Sequence, residues 1–238
     1  MFLEKHLEWV RLRAPSVHCI TNYVSANDVA NMILACGGRS VMADEPLEVT
    51  QMTALCDALN INLGTLSVSK VASMSLASNV AMQLGHARVL DLVGVGASSL
   101  RTDTALNLMA SQPFDVIKGN VSEMKAIDGG VGTTRGVDAN PDELVTEVSL
   151  EEAVKWAKGL SQKVKSIVVI TGQMDLVSDG EVCYVVRNGH PYMQKITGAG
   201  CQLSGLIATF LGAKPDSKRE AVLARSEEHT SELQSRHN

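Results

Sequence analysis

The stretch "KITGAGCQLSG", residues 195–205, places a glycine-rich turn directly ahead of an apolar run with helical spacing. Gly198-Ala199-Gly200 opens the backbone at a helix N-terminus, where the first N–H groups have no intrahelical partner. Those donors, with the positive end of the helix dipole, make an anion site, and the two glycines let a phosphate approach the backbone closely. Cys201 falls in the first turn, beside that anion. A small buried cysteine in a plain strand-to-helix turn would give the same letters, so the rest of the chain has to decide.

Working outward, the same rhythm recurs: a short apolar strand, a turn, then a helix. Ser25 and Asp28 have capping-box spacing, and Val29, Met32, Ile33 and Cys36 follow at helical intervals up to Gly37-Gly38. "SVMA" (40–43) reads as a strand, and the next helix sets Val49, Met52, Cys56 and Leu59 on one face. "NINL" (60–63), "RVLDLV" (88–93), "FDVIKG" (114–119) and "SIVVIT" (166–171) read as strands. Residues 68–84 read as a helix, and Ser149 and Glu152 open another that runs to about Val164. "DLVSDGEVCYVV" (175–186) turns at Asp179-Gly180 as a hairpin. This alternation predicts a single α/β domain over residues 1–224: a mostly parallel sheet with helices on both faces and one antiparallel hairpin. Ligands of such sheets bind at the C-terminal strand ends, here Asn22, Met42, Gly64, Asp91, Gly119 and Thr171.

Composition narrows the function classes. The 238 residues are 45% hydrophobic but only 3% aromatic, so the core is aliphatic. A net charge of -5 without a basic stripe argues against nucleic acid as a partner. No apolar run is long enough to span a membrane, and "MFLEKHLEWVRLRAPS" is too charged for a signal peptide. Five cysteines without a C-x-x-C pair suit reduced thiols in the cytoplasm and argue against a zinc site. There is no G-x-x-x-x-G-K-[ST], and "GVGASS" (94–99) lacks the third glycine of a dinucleotide fingerprint. His18, His86 and His190 read as structural, and "DGGVGTTRGVDANPDE" (128–143) as a surface excursion.

"VHCITNYV" (17–24), "NDVANMILACGG" (27–38), "VMADEPLEV" (41–49), "INLGTLS" (61–67), "LDLVGVGAS" (90–98), "VIKGNVSE" (116–123), "VVITGQMDLVSDG" (168–180) and "NGHPYMQKITGAGCQLSG" (188–205) occur in this order. Together they resemble the hydroxyethylthiazole kinase family of the ribokinase-like superfamily, over nearly all of residues 15–212. The resemblance implies a ribokinase-like three-layer α/β/α fold and ATP-dependent phosphorylation of 4-methyl-5-(2-hydroxyethyl)thiazole, in thiamine salvage. Superfamily turns usually read G-A-G-D, with aspartate as base; Cys201 stands at that place. Met42 and Gly198 match substrate-binding positions, and Asn22, ending the first strand, is a further substrate-binding candidate, in this or a neighbouring subunit. Lys118 and Thr171 match ATP-binding positions. Asn120 and Glu123 form the N-x-x-E pattern associated with Mg²⁺, and Asp91 is a further metal candidate at a neighbouring strand end. A homotrimer with substrate sites between subunits is also implied.

The chain departs from the family pattern at two places. Lys118 stands where the family has arginine, which keeps the charge but loses the bidentate fork. Leu92 stands where the family has proline. Residues 225–238, beginning "RSEEHTSELQS", resemble the translation of a sequencing-library adapter, and the expectation is a non-native tail on a C-terminally truncated kinase. Three rival readings stay open on sequence alone: another small-alcohol kinase acting on a hydroxymethylpyrimidine or sugar, a non-catalytic binding or assembly protein, and a cysteine-nucleophile hydrolase with His190 as partner.

Overall fold

Short aliphatic runs, too short for stable helices, pair side by side into one eight-stranded sheet in the computed structural model, which describes residues 2–111, 113–129, 149–187, 191–213 and 218–223. The strands are β1 (Ser16–Ile20), β2 (Arg39–Val41), β3 (Ala58–Asn62), β4 (Ala87–Asp91), β5 (Val116–Asn120), β6 (Ile167–Thr171), β7 (Asp175–Ser178) and β8 (Cys183–Val186). Their order is β2-β1-β3-β4-β5-β6-β7-β8. Strands β1 to β6 are parallel, and β7 and β8 return antiparallel as the expected hairpin.

Because strand side chains alternate between faces, the sheet divides the aliphatic core in two. On one face Leu59, Ile61, Leu90, Ile117, Val168 and Ile170 pack under α4 (Val68–Gln83), α5 (Ser99–Ser111), α6 (Val121–Ile127) and α7 (Leu150–Val164). On the other, Val17, Ala58, Val89, Val116 and Val169 pack under α1 (Phe2–Arg13), α2 (Ala26–Ala35) and α8 (Ala199–Gly212). The small helix α3 (Val49–Ala54) completes the layer beside α4. Helix α8 is apolar nearly all round, and every residue from Cys201 to Gly212 is buried, as expected of a helix driven into the centre of a domain. The architecture is three-layered, α/β/α.

The chain leaves β1 for β2 on one side and then crosses back to β3 on the other. That reversal opens a crevice at the C-terminal ends of β1 and β3, the usual ligand position of an open α/β sheet. The N-terminus of α8 points into this region.

Two local expectations are corrected. The helix expected to carry Leu59 ends at Ala54, because Asp57 is drawn onto β1: its carboxylate accepts the Ser16 N–H at 2.8 Å and its own N–H reaches the Ser16 carbonyl at 2.8 Å. Leu59 then enters β3, opposite His18. Ser25 is the N-cap of α2, but its side chain makes no capping bond and turns to Asn22 instead. His18 is structural as expected. It is fully buried between Thr53 Oγ1 and the Ala43 carbonyl, and burial pushes its pKa down. His190, most of the 128–143 segment and the tail from 225 lie outside the described residues.

Candidate active site

At the C-terminal edge of the sheet, the face under α8 changes from aliphatic to polar. Within their own strands Asn62, Asp91 and Lys118 follow Asn60, Val89 and Val116 two residues later, on the same side. Strand register then sets them at one level, with Asn62 opposite Asp91 and Asp91 opposite Lys118. Neighbouring parallel strands lie about 4.8 Å apart, so side chains at one level meet. Asn62 Nδ2 donates to Asp91 Oδ2 at 2.8 Å, and Lys118 Nζ donates to Asp91 Oδ1 at 2.9 Å. This ion pair is almost fully buried, with Lys118 4% and Asp91 0% exposed. Burial alone would lower the Lys118 pKa, but Asp91, Cys201 and Glu123 offset it and hold the ammonium above its ordinary value.

The α8 turn covers this row. Gly198 has φ +77°, a left-handed conformation that favours glycine, and a Cβ there would stand 2.5 Å from Ser25 Cβ. Gly200 carries no strain of that kind but is fixed by proximity: a Cβ on it would stand 2.8 Å from Lys118 Nζ. The first helical bond of α8 runs from the Gln202 N–H to the Gly198 carbonyl. Among the described residues the N–H groups of Gly200 and Cys201 have no backbone acceptor. Two free donors and a buried ammonium therefore converge at one point, which is an anion site built from both sides.

Cys201 lies against this site and is 7% exposed. Asn22, at the end of β1, donates from Nδ2 to Cys201 Sγ at 3.2 Å and to Asn62 Oδ1 at 3.0 Å. The amide groups of Asn22 and Asn62 thus join the cysteine to the charged row.

Asn120 and Glu123 form a capping box on α6. The Glu123 N–H reaches Asn120 Oδ1 at 2.9 Å, and Glu123 Oε2 accepts the Asn120 N–H at 2.7 Å. Glu123 Oε1 accepts the Gly94 N–H at 2.7 Å. Burial raises the Glu123 pKa to about 7, although Lys118 and the two N–H groups work against it. No group of three or more His, Cys, Asp or Glu side chains suited to a metal occurs among the described residues. The donor set fits a Mg²⁺ ion held mainly by phosphate and water oxygens, with Glu123 contributing a remaining lone pair. Asp91, by contrast, has both oxygens engaged, by Lys118 and Asn62.

Thr171 ends β6 opposite Asn120, half-buried, with Oγ1 near the Gly119 carbonyl at 3.4 Å. Met42 follows β2 on the outermost strand and is 40% exposed. Of the sequence candidates, Cys201, Asn22, Asp91 and Lys118 are brought into contact by the fold. Gly198 turns the chain above them. Glu123 and Thr171 stand on the β5–β6 side, and Met42 stands apart at the β2 edge.

Sequence reasoning missed Asn62 and Asp175. The signal for Asn62 was present: Asn60 and Asn62 alternate with Leu59, Ile61 and Leu63, which marks a polar strip on one face of a buried strand. Asp175 begins β7 beside the row. It accepts the Gly172 N–H at 2.9 Å, and burial raises its pKa to about 6 against the pull of that N–H and Lys118.

An anion site flanked by a thiol and a carboxylate suits phosphoryl transfer to an acceptor that must lose a proton. Known proteins point the same way. The hydroxyethylthiazole kinase of Clostridium acetobutylicum is 47% identical over 222 residues, covering 93% of this chain and 81% of that protein. The hydroxyethylthiazole kinase of Desulfovibrio desulfuricans is 45% identical, covering 91% of this chain and 76% of that protein. Among solved structures, hydroxyethylthiazole kinase from Pyrococcus horikoshii OT3 superposes with a TM-score of 0.81 at 36% identity, covering 94% of this chain and 81% of that one. The fold is ribokinase-like. A model of the hydroxyethylthiazole kinase family matches residues 7–232, and the chain belongs to that family.

Proposed function

We propose that the chain transfers the γ-phosphoryl group of ATP to the primary hydroxyl of 4-methyl-5-(2-hydroxyethyl)thiazole, giving the thiazole monophosphate and ADP. The observation that carries this reading is the position of Cys201 Sγ beside free α8 N–H donors and the buried Lys118 ammonium. In this reading the acceptor hydroxyl gives its proton to Cys201 Sγ. Its oxygen then attacks the γ-phosphorus, and the β–γ bridging oxygen leaves with ADP. The Gly200 and Cys201 N–H groups and Lys118 stabilise the charge on the transferring group. When bound, Mg²⁺ supplies charge neutralisation at the phosphate oxygens, and Glu123 is the residue best placed to hold it through water. Asp91 keeps Lys118 in place, and Thr171 offers a hydroxyl to the nucleotide.

Met42 is proposed to pack its thioether on the thiazole. Its exposure, with that of Tyr23, Val24 and Leu47 on loops and of Val68 at the start of α4, supports a substrate site completed by a neighbouring subunit of a homotrimer. The five unpaired cysteines support a reducing compartment, the cytoplasm.

The test is a coupled ADP-release assay with Mg²⁺ and ATP, using the thiazole alcohol, a hydroxymethylpyrimidine or no acceptor. ADP release with the thiazole alcohol alone is expected. Equal turnover of the pyrimidine, or release independent of acceptor, would overturn the substrate assignment. Light scattering should give three times the chain mass.

A further inference from the structure

We propose that Asn22 and Asn62 are positioning residues whose side-chain amides are locked in one orientation, so that Cys201 Sγ is offered a hydrogen-bond donor and no acceptor. This rests on the reading of Cys201 as the base.

The orientation of each amide follows from its partners. Asn22 Oδ1 accepts from the Ser25 N–H and the Ser25 hydroxyl, both at 3.0 Å. A flipped amide would set its NH₂ group against a backbone N–H, which can only donate. Asn22 Nδ2 must therefore face Asn62 Oδ1 and Cys201 Sγ. Asn62 is fixed in the same way twice over. Its Oδ1 accepts the Gly64 N–H at 3.0 Å, and its Nδ2 donates to Asp91 Oδ2, an acceptor-only group when ionised. Asp91 in turn accepts from Lys118 Nζ through its other oxygen, at 2.9 Å. The polarity runs without a break from the ion pair through two amides to the sulfur.

Three consequences follow. Both Asn22 N–H bonds and both Oδ1 lone pairs are already used, so the amide is a brace for Cys201 and has no hydrogen bond left for the substrate. A neutral thiol would gain no acceptor from Asn22, whereas a thiolate gains a charge-assisted hydrogen bond. All four groups are at most 7% exposed, and in such surroundings a hydrogen bond to an anion is stronger than at the surface. Other charges facing Cys201 act on the same equilibrium. Lys118 faces it from β5, with Asp91 and Glu123 behind that ammonium. Helix α2, packed along α8, buries Val29, Met32 and Ile33 and leaves its Asp28 exposed.

Two measurements test the brace. The first needs no kinase activity: iodoacetamide alkylation of Cys201 in the substrate-free protein, followed by mass spectrometry of its peptide from about pH 6 to about pH 10, a range that brackets an ordinary thiol. Asn22→Ala should move the alkylation midpoint up by about one pH unit. Asn22→Asp, which keeps the size but removes the donors, should move it further the same way and serves if the alanine variant folds poorly. Asn62→Ala should shift it less.

The second measurement compares backgrounds. Asn22→Ala should lower kcat about 10- to 100-fold with the thiazole KM little changed. In Cys201→Asp, where the base is ionised without help, the same change should cost less than about 3-fold. Equal losses in both backgrounds with an unmoved alkylation midpoint would overturn the proposal and make Asn22 a packing residue or substrate contact. A shifted midpoint in a protein that phosphorylates no thiazole alcohol would leave the brace standing and remove the kinase reading.

Discussion

The Lys118 ammonium lies directly against Gly200, so close that a Cβ on the glycine would stand 2.8 Å from Nζ. The second glycine of the G-A-G-C turn is therefore constrained by what lies beneath the helix. Gly200→Ala should displace the ammonium while leaving the backbone conformation allowed. ATP turnover should fall about 10-fold or more, the scale of losing one stabiliser of transferring charge. The melting temperature should change little. Steady-state kinetics and a thermal melt check both, and unchanged turnover would mean that Lys118 does not act through this contact.

Removing the Lys118 charge has a different signature. Lys118→Met leaves the Asp91 carboxylate buried without its cation, and breaking a buried pair in this way costs about 3–5 kcal/mol. Urea unfolding should show a loss of that size. Adding Asp91→Asn should recover part of it, because the uncompensated charge is gone, while activity stays lost. Failure of the double variant to recover stability would mean that packing dominates at this position.

The base assignment is tested at Cys201. Cys201→Ser keeps the size but gives a side chain that does not ionise at neutral pH, so turnover should fall by about 10²–10⁴, the range of a general base. Cys201→Asp supplies an ionised acceptor and should retain substantial turnover. Serine turning over as well as cysteine would reduce Cys201 to packing.

Glu123 makes stability depend on pH. Its pKa rises from 4.5 in the unfolded chain to about 7 in the fold, so the native state binds the proton more tightly across that window. Its contribution is fully present below about pH 4.5 and is lost as pH rises towards 7, by up to about 3 kcal/mol. Asp175 acts in the same direction, from 3.8 to about 6. Glu123→Gln should lower stability overall, because an NH₂ group then meets one of the two backbone N–H donors. It should also flatten the dependence between pH 5 and 7, leaving the part due to Asp175. Urea midpoints at several pH values measure the slope, and an unchanged slope would remove Glu123 as its source.

Much of this was legible in the sequence. The alternation of aliphatic strands with helices fixed the three layers, and Asp179-Gly180 marked the hairpin. Cys201 and Asp91 were singled out because they stand in a glycine turn and at a strand end, and Lys118 because it stands where the family resemblance sets an arginine. Asn62 and Asp175 escaped because their significance is relational. An asparagine at the end of β3 looks like an ordinary strand terminus until the register sets it between Asn22 and Asp91. The end of α3 was misread for the same reason: helical spacing carried the pattern on to Leu59, and only pairing of Asp57 with β1 shows that the chain has already turned. Lys118 was seen as a weaker substitute for arginine, while its burial beneath Gly200 depends on a contact 82 positions along the chain.

The polar row also bears on how the chain finds its pairing. A slip of one residue in a strand carries every side chain to the opposite face. For β4 or β5 that slip would drive Asp91 or Lys118 into the aliphatic layer under α4 and α5, with no partner and no water. A wrong register is thus penalised by the same charges to which the proposed mechanism assigns the chemistry. Selection on phosphoryl transfer also selects for faithful assembly of the sheet, and a variant that neutralises the row should gain access to misaligned, aggregation-prone folding intermediates.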